Sequence, residues 1–246
     1  MSEPPAHLKQ EYQVSSPESV ELFNSASAGS VLGVRNALAR GGKVNYFHRP
    51  EDQKNSLHIA AEQGHKAVVE LLLQADAVVD CIVPSTKDTA LILSCQSGSV
   101  EIAQMLFAKG ADVNAQNCYG NTPLHVSARQ GDYPLCKLMV EEGAIAQAVN
   151  HKGSTALHFF AYSDSSSISI AQLLIDAGCA IDAKCTEGRT PFLIAAMNGR
   201  VDLLDFFAAE GADIHAVDVS GDDGYGLAVF HKHSKCVKWF ENRKGK

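Results

Sequence analysis

The sequence predicts an all-α fold, a solenoid of helix-turn-helix units joined by β-hairpin-like fingers. Two ladders of residues carry this prediction. Thr122-Pro123-Leu124-His125 and Thr190-Pro191-Phe192-Leu193 have relatives in Asn55-Ser56-Leu57-His58, Thr89-Ala90-Leu91-Ile92 and Thr155-Ala156-Leu157-His158. Their third residues, 57, 91, 124, 157 and 192, are separated by 34, 33, 33 and 35. A second ladder, Asp76, Gly110, Gly143, Gly178 and Gly211, is spaced by 34, 33, 35 and 33. One period in two independent anchors marks a stacked repeat, in which each unit buries its apolar face against its neighbours. Composition agrees: of 246 residues 46% are hydrophobic and 20% charged, too apolar a balance for a disordered chain.

Each unit follows one local logic. A Thr hydroxyl caps the first helix, Pro suits its first turn, and Leu and Ala follow on one face. Gly64, Gly98, Gly131 or Gly199 breaks that helix, and a stretch such as Ala67-Val68-Val69-Glu70-Leu71-Leu72-Leu73 resumes helical spacing. The second helix ends at the glycine ladder, where a left-handed residue is needed; Asp76 is a tolerable substitute. An extended segment then leads to a turn signal, Asn117-Cys118-Tyr119-Gly120 or His151-Lys152-Gly153, which closes a finger.

These units resemble ankyrin repeats, whose motif is close to Gly-x-Thr-Pro-Leu-His-x-Ala-Ala with Gly-Ala-Asp-Val-Asn at its end. The nearest match runs from Gly110-Ala-Asp-Val-Asn-Ala through Gly120-Asn-Thr-Pro-Leu-His-Val-Ser-Ala128. Looser copies extend it: Leu22 lies 35 residues before Leu57, Gly41-Gly-Lys-Val-Asn45 stands at a terminal motif, and Leu227 lies 35 after Phe192. The reading is an N-terminal mobile tail over 1–14 and an array over 15–241, with repeats near 17–46, 47–80, 81–114, 115–147, 148–182 and 183–215, a partial capping repeat at 216–241, and a basic tail at 242–246. Ser15-Ser16-Pro17-Glu18 reads as a capped helix start, and residues 231–240 read as an amphipathic closing helix.

Charge and cysteine usage bound the function. Residues 232–246 hold six Lys/Arg against one Glu, a balance of +5, and the preceding 231 residues hold 15 against 27, a balance of −12. A general nucleic-acid binder needs a basic face, so an acidic body argues against that class. Seven cysteines without a CxxC pair make a poor disulfide framework. No apolar run approaches the ~18 residues of a membrane span, and the opening lacks a signal-type apolar block. The expectation is a soluble protein of the cytoplasm, with the nucleus as the alternative compartment, monomeric when alone.

No pattern of catalysis, cofactor or metal binding stands out. HExxH, Gly-x-Ser-x-Gly and the Rossmann glycines do not occur. Ala39-Arg40-Gly41-Gly42-Lys43 fails as a phosphate loop because Ala37 and Val44 occupy required Gly and Ser/Thr positions. Asp218-Val-Ser-Gly-Asp222-Asp223 fails as a calcium loop for want of Gly at its sixth position and Glu at its twelfth. His231, His233 and Cys236 want a fourth ligand for zinc. His58, His125 and His158 are expected to tie one repeat's backbone to the next. The protein is expected to be no enzyme.

What remains is a surface. The ankyrin resemblance implies a concave face on which partner contacts fall at variable finger and first-helix positions. These are Tyr119, Asn121, Arg129 and Gln130 in one unit, His151, Lys152 and Tyr162 in the next, then Glu187, Arg189, Met197 and Asn198. The implied function is a non-catalytic scaffold for another protein or an extended peptide, with an assembly chaperone or complex subunit, or a reader of a modified histone tail, as alternatives. Asn114, after Asp112-Val113 and eight residues beyond Leu106, resembles a target of the asparaginyl hydroxylase that modifies ankyrin fingers; His215 is the matching position near the end of the array. The alternative is an ordinary finger asparagine. Tyr162-Ser163-Asp164-Ser165-Ser166-Ser167-Ile168 is expected to form a flexible surface loop, a tolerated insertion or else a modified or partner-binding one.

Overall fold

A computed structural model describes residues 16–48 and 53–243; the tail expected over 1–14 and the last residues of the basic tail lie outside these. Among the described residues there are fourteen α-helices in seven antiparallel pairs and no strand beyond isolated bridges. The chain divides into two compact units between Ala111 and Asp112.

The first unit holds α1 (Pro17–Ser27), α2 (Val31–Ala39), α3 (Ser56–Glu62), α4 (Lys66–Gln74), α5 (Ala90–Gln96) and α6 (Val100–Phe107). Leu22, Leu57 and Leu91 sit at its centre, none more than 1% exposed. The second unit holds α7 (Pro123–Gln130), α8 (Tyr133–Glu141), α9 (Ala156–Ala161), α10 (Ile168–Asp176), α11 (Pro191–Met197), α12 (Val201–Ala209), α13 (Gly224–Phe230) and α14 (Ser234–Glu241). Its first helices α7, α9, α11 and α13 stack side by side over Leu124, Leu157, Phe192 and Leu227, all buried.

Helices of six to eleven residues, as here, are marginal alone, so their ends must be tied and one face buried. Asn55 Oδ1 accepts the His58 amide at 2.9 Å, and Asp223 Oδ1 accepts the Gly226 amide at 2.8 Å. At His58, His125 and His158 the imidazole adds a second tie. Nδ1 accepts the amide of Asn55, Thr122 or Thr155 at 3.1–3.2 Å, while Nε2 donates to the carbonyl of Cys81, Ser154 or Arg189 at 2.7, 2.9 and 3.1 Å. One ring thus closes its own helix and holds the next repeat's finger.

Two readings of the C-terminal repeat change. The cap spacing puts Asp223 and Gly224 where Thr190 and Pro191 stand, so Tyr225, not Leu227, is the counterpart of Phe192. The closing helix begins at Ser234 rather than His231. Lys232 makes the left-handed turn between the paired helices, at φ 62°, where Gly199 makes it one repeat earlier at φ 74°. Lysine in that role escapes a reading that looks for glycine.

The serine segment after α9 is held in place. The Arg200 guanidinium donates to the carbonyls of Ser163 and Ser165 at 2.5 and 2.6 Å, and Ser165 Oγ donates to the Gly131 carbonyl at 3.2 Å. Ser163 is 4% exposed. The two extra residues are absorbed by this clasp.

Candidate functional site: fingers and first helices of residues 112–246

Four fingers project from the second unit: 117–121, 150–154, 185–189 and 218–222. Each is closed by a bond from the amide of its first residue to the carbonyl of its fifth, at 3.0 Å in every case. The chain passes through positive φ at the fourth residue, always glycine. At Gly120 a Cβ would also meet the His151 backbone nitrogen at 2.9 Å, so two reasons exclude a side chain there.

Three fingers carry an internal brace. Asn117 Oδ1 accepts the amides of Tyr119 and Asn121 at 3.0 Å each, Asn150 Oδ1 those of Lys152 and Ser154 at 2.9 and 3.0 Å, and Asp218 Oδ1 those of Ser220 and Asp222 at 2.8 and 3.2 Å. This is the Asx-turn preference of Asn and Asp. At Cys185 no such oxygen exists. Finger 185–189 leans instead on Arg189, whose Nε donates to Asp218 Oδ2 at 3.2 Å and whose Nη1 donates to Glu187 at 2.5 Å. The Asp218 side chain is 1% exposed. Burial alone would raise its pKa, but the Ser220 and Asp222 amides and Arg189 outweigh that and hold it below the usual carboxylate range.

Neighbouring fingers are laced together. The amides of His151, Thr186 and Val219 donate to the carbonyls of Tyr119, Lys152 and Glu187 at 3.0, 2.9 and 3.0 Å. Tyr119, Lys152 and Glu187 therefore form one row, each three residues before its helix cap. A second row lies seven residues after the cap: Arg129, Tyr162, Met197 and Phe230.

Between these rows lies a hollow of about 430 Å³ whose lining includes Tyr119, Asn121, Arg129, His151, Lys152, Tyr162 and Glu187. Seven residues singled out from sequence thus converge. The Arg129 guanidinium donates to the Tyr162 carbonyl and lies 5.7 Å from that residue's ring centroid. Burial pushes the Tyr162 hydroxyl pKa up, against the opposing charge of Arg189. Tyr119 is 65% exposed. Among the described residues Lys152 has no carboxylate at ion-pair distance, whereas Glu187 is committed to Arg189. The hollow therefore presents cationic and aromatic groups.

The other four sequence candidates do not line it. Arg189 is a clamp between fingers, Met197 is half-buried in its row, Asn198 donates to the Ala161 carbonyl at 3.3 Å, and Gln130 is exposed at the end of α7. Phe159, Asn150, Ser154, Cys185 and Thr186 line the hollow without having been expected. Phe159 lies four residues after its cap, one helical turn before the position of Tyr162. Phe230, 80% exposed, extends the second row; placing Leu227 against Phe192 hid it.

Asn114 and His215 sit beyond the second helices. Asn114 Oδ1 accepts the Ile145 amide at 2.9 Å and its Nδ2 donates to the Gly143 carbonyl at 3.3 Å, so its amide bridges two repeats. His215 is exposed, with its amide on Asp213 Oδ1 at 2.9 Å. Among the described residues no three or more His, Cys, Asp or Glu are grouped to hold a metal; Cys236 is fully buried, whereas His231 is exposed at the helix turn.

The family model for ankyrin repeats, in three copies, matches residues 22–117, 57–150, 124–218 and 160–244. The chain belongs to the ankyrin-repeat family. Among curated ankyrin-repeat relatives, the chain is 32% identical over 190 residues to a Caenorhabditis elegans transient receptor potential cation channel subfamily A member 1 homolog, covering 77% of this chain and 13% of that protein. Over 109 residues it is 33% identical to the C. elegans ankyrin repeat and KH domain-containing protein mask-1, covering 42% of this chain and 4% of that protein. The mouse B-cell lymphoma 3 protein homolog matches at 32% over 121 residues, 48% of this chain and 23% of that protein. The chain spans less than a quarter of each of these relatives. Ankyrin repeats are in general protein-interaction modules and generally not catalytic. Among the described residues no helix is long and apolar enough to cross a membrane.

Proposed function

We propose that this ankyrin chain is a non-catalytic scaffold that holds another protein, or an extended peptide of one, against the fingers and first helices of residues 112–246. The observation that carries this reading is the hollow itself, in which seven side chains from three successive repeats meet beside the laced row of fingers. A preformed, braced surface pays little ordering cost on binding. Tyr and Arg are the types that dominate interface energetics, and Tyr119 and Arg129 both line the hollow. Lys152 and Arg129 favour acidic groups on the partner, and Tyr119, Phe159 and Tyr162 supply apolar area. Three aromatics in one hollow bring the histone-tail reading to mind, but Arg129 already lies over Tyr162 and Lys152 would repel a methylated ammonium.

Partners recovered with the purified chain should be titrated against variants. Tyr119→Ala and Arg129→Ala should each weaken binding by more than ~1 kcal/mol, and changes outside the hollow, such as Asn198→Ala, by less. Affinity indifferent to the whole set Tyr119, Arg129, His151, Lys152 and Tyr162 would overturn the reading.

We propose Asn114, with His215 as the matching position, as a hydroxylation site. Because the Asn114 amide is engaged by Gly143 and Ile145, modification requires these bonds to open, so it should be faster in variants that loosen the second unit. Mass analysis of the Asn114 peptide after incubation with the asparaginyl hydroxylase decides; no added oxygen even in a loosened variant removes the site.

A further inference from the structure

The C-terminal end of the second unit leaves uncovered a pair of positions that each preceding helix pair of that unit buries completely. Six residues after the first-helix cap stand Ala128, Ala161 and Ala196, all 0% exposed, and then Val229, 48% exposed. Four residues after the second-helix cap stand Cys136, Ala171 and Leu204, all 0% exposed, and then Val237, half-buried. Small or apolar side chains at these positions let the following helix pair approach within the unit. Val229 and Val237 therefore form the seat of one more helix pair.

The seat is shaped and charged. A hollow of about 350 Å³ is lined by Val229, Val237, Lys232, Lys238, Ser234 and Glu241. Among the described residues neither Lys232 nor Lys238 has a carboxylate at ion-pair distance, and residues 232–246 carry six Lys/Arg against the single acid Glu241. In aliphatic residues with cationic margins, the chemistry asks for an apolar stripe flanked by carboxylates. The register asks for a helix.

We propose that this end face, separate from the finger surface, docks an acidic amphipathic helix of a partner protein. The apolar stripe of that helix covers Val229 and Val237, and its acids meet Lys232 and Lys238. The proposal stands whether or not the finger surface binds as described above.

The test uses the full chain and a fluorescein-labelled synthetic helix, leucines on one face and glutamates on the other, longer than the ~15 residues below which isolated helices are marginal. Fluorescence anisotropy should show saturable binding that weakens with added salt. Val229→Ser and Lys238→Glu should each reduce affinity about 10-fold, a change of ~1.4 kcal/mol, with circular dichroism unaltered because both residues are exposed. Tyr119→Ala with Arg129→Ala should leave it unchanged. The proposal is overturned by no saturable binding, by equal binding of the same helix with lysines for glutamates, or by affinity indifferent to Val229→Ser. It is also overturned if a DNA or RNA oligonucleotide binds these lysines more tightly than the acidic helix does. Sedimentation showing dimers that Val229→Ser dissolves would equally overturn it, the occupant then being a second copy.

Discussion

Replacing Leu124 by alanine should destabilise the second unit by ~2–5 kcal/mol, the range for emptying a well-packed leucine site. Leu124 is 1% exposed where α7 meets α8 and α9, and helices this short cannot keep their form without that packing. Because a repeat touches only its neighbours, the loss should be local in origin. Hydrogen exchange should show the amides of α7 to α9 opening first, ahead of those of α11 to α14. Equal loss of protection in every helix of the unit would contradict a repeat-by-repeat structure. Denaturant unfolding provides the magnitude.

Acid should unfold the protein in a window set by its structural histidines. Burial lowers the pKa of His58 and of His125 to about 4, outweighing the carbonyl each ring donates to, and burial also lowers that of His158. In the unfolded chain each titrates near ~6.5. Between those values the unfolded state binds protons that the folded state refuses, so stability is full above ~6.5 and falls as pH drops towards 4. The slope is on the order of 1 kcal/mol per pH unit for each histidine. With two of the three rings, the second unit should lose more than the first. Urea midpoints measured from pH 7.5 to 4.5 check this, and a flat profile across pH 6.5–5 would refute it. His125→Asn with His158→Asn should flatten the profile while lowering stability at neutral pH.

The fold was legible because its determinants are local and repeated. A cap residue, a leucine two positions on, a left-handed glycine and a finger glycine recur at one spacing, and each acts through the backbone within a few residues. The candidate surface was legible to the extent that it follows the same register: Tyr119, Lys152 and Glu187 share one finger position, Arg129, Tyr162 and Met197 one helix position. What escaped depends on partners distant in the chain. Nothing near Arg189 in sequence shows that it serves Asp218, and nothing near Ser163 shows that Arg200 holds its carbonyl. Lys232 escaped because a lysine can take, at some strain, the conformation that glycine takes freely. Phe230 escaped with it, since a register counted from Leu227 leaves it off the row.

Asp218 serves two masters with its two oxygens: Oδ1 shapes its own finger and Oδ2 receives Arg189 from the finger before. A partner that recruits Arg189 with a carboxylate of its own takes it from Asp218. Finger 185–189 then loses the outside support that stands in for the missing oxygen at Cys185. The exchange reaches one repeat further along without contact there only in that Asp218 loses the guanidinium from its Oδ2. The Asp218 Oδ1 bonds survive the exchange, which gives the signal a direction: the finger that lends Arg189 softens, and the finger that received it keeps its shape.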